Sequence, residues 1–70
     1  MSTRVLIYIN GAPCRFELPL TVTAMLEQEG LAGKRVAVER NGEIVPKSRH
    51  ADTSVAAGDK IEVVVAVGGG

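Results

Sequence analysis

The run IEVVVAV, residues 61–67, constrains the fold more than any other stretch of the chain. In an extended backbone Ile61, Val63, Val65 and Val67 share one face, and Glu62, Val64 and Ala66 share the other. A strand that is apolar on nearly both faces belongs inside a sheet rather than at its edge. The whole chain has 70 residues, so one domain and one core must be built around that strand. No internal disulfide can help, because Cys14 is the only cysteine. His50 is the only histidine, so a zinc-type ligand set is missing as well. Hydrophobic residues make up 46% of the chain, and the core they form must hold the fold without a staple.

The preceding segments supply the partners of that strand. RVLIYINGAPCRFELPL predicts a hairpin, with Val5, Ile7 and Ile9 alternating with Leu6 and Tyr8. Asn10-Gly11 is the turn, since both residues tolerate positive φ. Pro13 suits the start of the returning strand, where no ladder donor is needed. Thr21 is the predicted N-cap of a short helix whose Val22, Met25 and Leu26 fall on one face, and Gly30 ends it. RVAVERNGEIVP returns to a period of two, turns at Asn41-Gly42, and closes with a short strand at Ile44-Val45 that Pro46 stops. KSRHADTSVAAGD is polar and reads as irregular, with Val55 its core contact. There His50 is expected to be a solvated loop residue. Cys14 is expected to be a half-buried or surface strand residue.

The order is strand, strand, helix, strand, short strand, strand. The helix is too short to stand alone and must lie across one sheet face. With the last strand paired in parallel to the first, the expected class is α+β: a β-grasp. It comprises a mixed sheet of four to five strands with one helix packed across it. The domain is expected to span residues 1–67, followed by a flexible glycine tail at 68–70.

Eight basic residues balance eight acidic ones, and the signs are interleaved. With only Tyr8 and Phe16 as aromatics, neither a basic stripe nor a stacking platform is available for nucleic acid. No apolar run approaches the roughly 20 residues of a membrane helix, and no signal-peptide pattern opens the chain. A cytoplasmic protein is expected. There is no phosphate-binding glycine loop and no metal-ligand spacing, so no bound cofactor is expected. The sequence closes on Gly68-Gly69-Gly70, and glycine, which has no Cβ, adopts dihedrals closed to other residues.

Val38–Pro46 (VERNGEIVP), Gly58-Asp59 and the closing AVGGG, with INGAP at the first turn, resemble the ubiquitin-like sulfur carriers of the ThiS/MoaD family. The similarity is strongest to the ThiS branch of thiamin biosynthesis and spans essentially the whole chain. It implies that an E1-like, ThiF-type adenylyltransferase uses ATP to activate the Gly70 carboxylate. A persulfide-bearing donor would convert it to a thiocarboxylate, and a ThiG-like thiazole synthase would receive the sulfur. Gly68 and Gly69 would thread the partners' active sites. The chain itself would be a co-substrate rather than an enzyme, and a monomer when free. Val64 and Ala66, with Tyr8, Leu6 and Ala37 as expected neighbours, would form a docking patch on the open sheet face. The charges of Arg40, Glu43, Lys47 and Arg49 read first as an ordinary soluble surface, with contacts from some of them to the activating enzyme as the lesser reading. Other readings of the same tail are a carrier for molybdopterin or tRNA thiolation, and a ubiquitin-like protein modifier. A β-grasp interaction domain without terminal chemistry is a third.

Overall fold

The computed structural model describes residues 4–66. The elements are β1 (Arg4–Ile9), β2 (Ala12–Glu17), α1 (Val22–Gln28), β3 (Val36–Arg40), β4 (Glu43–Val45) and β5 (Lys60–Val65), with a 3₁₀ turn at Lys47–Arg49 before β5. The five strands form one mixed sheet in the order β2-β1-β5-β3-β4. β5 is central, as its two apolar faces require. It runs parallel to β1 and antiparallel to β3, and α1 packs on one side. This is the expected β-grasp with its full five strands.

Both hairpins turn as their Asn-Gly pairs dictate. Asn10 and Gly11 have φ of 51° and 84°, and Asn41 and Gly42 have 52° and 86°. Two successive positive φ values make the turn whose twist matches the flanking strands. Pro13 sits opposite Tyr8 in the edge strand β2, where its missing N–H interrupts no interior ladder.

Helix α1 is capped at both ends. The Thr21 side chain accepts a hydrogen bond from the Ala24 amide at 3.1 Å. Gly30 takes φ of 74°, its amide bonds to the Glu27 carbonyl, and Leu31 N–H reaches back to the Leu26 carbonyl at 2.8 Å. That pair of bonds is the Schellman closure. The helix buries Val22, Met25 and Leu26 against Ile7, Ile9, Phe16, Val38, Ile61 and Val63.

Two expectations are corrected. The segment after β4 is irregular apart from its 3₁₀ turn and buries Val55, as expected, but His50 is not solvated, because the segment fastens α1 to the body. Val22 N–H donates to the Thr53 carbonyl, Thr23 N–H to the His50 carbonyl, and Val55 N–H to the Leu20 carbonyl. His50 is therefore buried, at 7% exposure, and its Nε2–H donates to the Val45 carbonyl at 3.0 Å. The last strand begins one residue early, at Lys60, and ends at Val65 rather than Val67. Val65 is 43% exposed although its pattern position faces the core, because the seven-residue α1 covers the sheet only as far as Val63. Cys14 is half-buried in β2, as expected.

Candidate functional site

Two side-chain clamps determine how β5 enters and leaves the sheet. At its entrance Asp59 is buried, with 6% of its surface exposed. Its Oδ2 accepts from Arg40 Nε at 2.6 Å and from the Ala56 amide at 2.8 Å. Its Oδ1 accepts from Asn41 Nδ2 at 3.0 Å. Asn41 Oδ1 in turn accepts from the Lys60 amide at 2.9 Å. Burial pushes the Asp59 carboxyl upward. The hydrogen bonds from Ala56, Asn41 and Arg40, together with the Arg40 charge, outweigh burial and leave the pKa below its ordinary value. One carboxylate thus ties the β3–β4 turn to the start of β5.

The second clamp lies further along β5, where β1 has already turned away. Asn10 Oδ1 accepts from the Val63 amide at 2.8 Å, and Asn10 Nδ2 donates to the Val63 carbonyl at 3.1 Å. The amide side chain replaces a strand neighbour and continues the ladder one step past the turn. Beyond it β5 keeps its antiparallel partner, with Val65 opposite Val36. The Ala66 amide donates to the Arg35 carbonyl at 2.9 Å. The chain is held in register up to Ala66 at its departure from the sheet. The glycines expected to carry the chemistry, Gly68, Gly69 and Gly70, lie outside the described residues, as does Val67.

The expected docking residues are only partly brought together. Val64 is 65% exposed and stands directly opposite Ala37 on the open sheet face. Ala66 is exposed just past the strand. Tyr8 is not their neighbour: it lies beside Lys60 in the parallel ladder, four residues down β5 from Val64, or about 13 Å. Leu6 lies further back, where its carbonyl accepts from the Gly58 amide. The expected patch overlooked Ile44, which is 65% exposed and pairs with Glu39 in the neighbouring row.

Among the described residues no group of three or more His, Cys, Asp or Glu side chains could hold a metal. No helix is long and apolar enough to cross a membrane. Among the described residues Asp59 is the one carboxyl with a shifted pKa, and its oxygens are taken up by Arg40, Asn41 and Ala56.

A sequence model of the ThiS family matches residues 7–70. A thiazole synthase from Paramagnetospirillum magneticum is 48% identical over 64 residues, which is 91% of this chain and 20% of that protein. The chain therefore spans about a fifth of that relative's length. The uncharacterized protein ycf40 of Porphyra purpurea is 30% identical over 70 residues, covering all of this chain and 99% of that one. The crystal structure of a thiamine biosynthesis protein (ThiS) from Geobacter metallireducens superimposes with a TM-score of 0.79 at 32% identity. The match covers 94% of this chain and 100% of that one.

Proposed function

The chain belongs to the ThiS family, and from that premise we propose that it is a sulfur carrier for the thiazole of thiamin, with the terminal carboxylate of Gly70 as its reacting group. The observation that carries this reading is the family match, which spans residues 7–70, from within β1 through the glycine tail. The thiazole synthase relative supports the acceptor. Within one polypeptide named for that activity, a stretch similar to this chain makes up a fifth of the length. Joining a carrier to its acceptor raises their effective concentration.

The chemistry explains why the carrier needs so little. A carboxylate resists nucleophiles because it is charged and lacks a leaving group. An adenylating partner joins the carboxylate oxygen to the α-phosphorus of ATP and releases pyrophosphate. The terminal sulfur of a persulfide then attacks the carbonyl carbon of Gly70, and AMP departs. The resulting acyl disulfide is cleaved by a second thiol. That thiol is oxidised to a disulfide as the thiocarboxylate is released. Every catalytic group in this sequence belongs to the partners. The carrier contributes a thin, unhindered arm and a rigid body that delivers it.

Deleting Gly69 and Gly70 tests the assignment. The thermal unfolding midpoint is expected to stay within a degree or so of the full chain, because the core ends upstream. Sulfur transfer to thiazole synthase is expected to be abolished. A truncated chain that still supports thiazole formation would overturn the proposal.

A further inference from the structure

The open face of the sheet carries an arrangement that the tail chemistry does not use. Glu39 on β3 and Glu62 on β5 stand directly opposite each other in the antiparallel ladder. Opposed residues there are separated by about 5.5 Å or less at Cα, and like charges in that position repel and destabilise the pair. Neither carboxylate has a salt-bridge partner among the described residues. Lys60, two residues before Glu62 on the same face, pairs with neither. Two exposed β-branched side chains border the acids. Ile44 lies opposite Glu39 on its far side, and Val64 follows Glu62 along β5. Each is 65% exposed.

We infer that this face docks a protein partner that presents an arginine between apolar side chains, the guanidinium taking Glu39 and Glu62 together while the apolar groups cover Ile44 and Val64. A cation between the two carboxylates turns their repulsion into attraction. The guanidinium is the cation whose planar fork can donate to both acids at once. The apolar borders exclude water from the new contact and strengthen it. A free metal ion fits poorly, since two acids without a third ligand among the described residues make an incomplete oxygen cage. Because the repulsion is relieved only in the complex, the pair also discriminates against partners without the cation. This assignment rests on the carrier reading in one respect: the partner used to test it is the adenylating enzyme.

The test compares the wild type, E39Q/E62Q and the charge-matched control E27Q/E29Q, whose acids are exposed at the end of α1. The measurement is KM and kcat for adenylation of the carrier at two ionic strengths. E39Q/E62Q is expected to unfold at a higher temperature than the wild type, since a repulsive pair is gone. Its KM is expected to rise about tenfold or more with kcat unchanged, and to lose most of its salt dependence. The control is expected to match the wild type. If the wild type is activated and E39Q/E62Q keeps its KM, or the control rises equally, this assignment is overturned alone. A wild type that is never activated overturns the carrier reading and this assignment with it.

Discussion

Asp59 holds more of the structure than any other polar residue described. Its three donors come from Arg40, Asn41 and Ala56, so its loss strands an amide and a side-chain N–H together. Asp59→Ala is expected to cost about 2 kcal/mol at neutral pH, read from the urea midpoint. Arg40 contributes less than its distance suggests, because its side chain remains 34% exposed and is screened. The carboxyl's pKa is lower in the folded chain than its ordinary 3.8. Folding therefore disfavours its protonation, and the stability it confers is present above about pH 4 and drains away as pH falls through the lower folded value. Asp59→Ala should flatten that acid limb; a mutant with the wild-type slope would contradict this role. None of it was legible locally. Gly58-Asp59 and Arg40-Asn41-Gly42 stand out in the sequence as separate motifs, and only the fold brings residues 18 and 19 positions apart into one network. His50 misled for a related reason. A lone histidine in a polar run shows no partner, and its burial comes from the way that run closes over α1.

At the scale of elements, periodicity located every strand and the helix, and the Asn-Gly pairs located both hairpins. Periodicity did not show where cover stops. Ile61, Val63 and Val65 look equivalent in sequence, yet exposure climbs from 1% to 8% to 43% along them because α1 has only seven residues. A helix that short is below the roughly 12–15 residues needed for stability in isolation. It is held by its caps, its buried face and three backbone bonds to the segment at 50–55 and to Leu20 that frame it. Met25, fully buried, is therefore the helix's main anchor. Met25→Ala is expected to cost about 2–5 kcal/mol, whereas Val65→Ala should cost under about 1 kcal/mol. Chemical denaturation of the two variants checks the contrast; equal losses would mean that the helix covers more of β5 than its length allows.

For the molecule as a whole, the two apolar faces of β5 made its central position legible, and the parallel pairing with β1 followed from fitting one helix across one sheet. The docking face was read less well. Alternation assigns residues to a face but not to a height along it, so Tyr8 and Val64 were grouped although the ladder separates them by two rows. Register, the missing quantity, also concealed the opposed Glu39 and Glu62. The result is a body whose polar networks are spent on holding β5 in register, which under the carrier proposal leaves recognition to the surface and reactivity to Gly70. The most direct test is the intact mass of the full chain after incubation with ATP, the adenylating enzyme and a persulfide source. The account predicts a mass increase equal to replacing one oxygen by sulfur, localised by fragmentation to Gly70. An unchanged mass, or sulfur found on Cys14 instead, would contradict it.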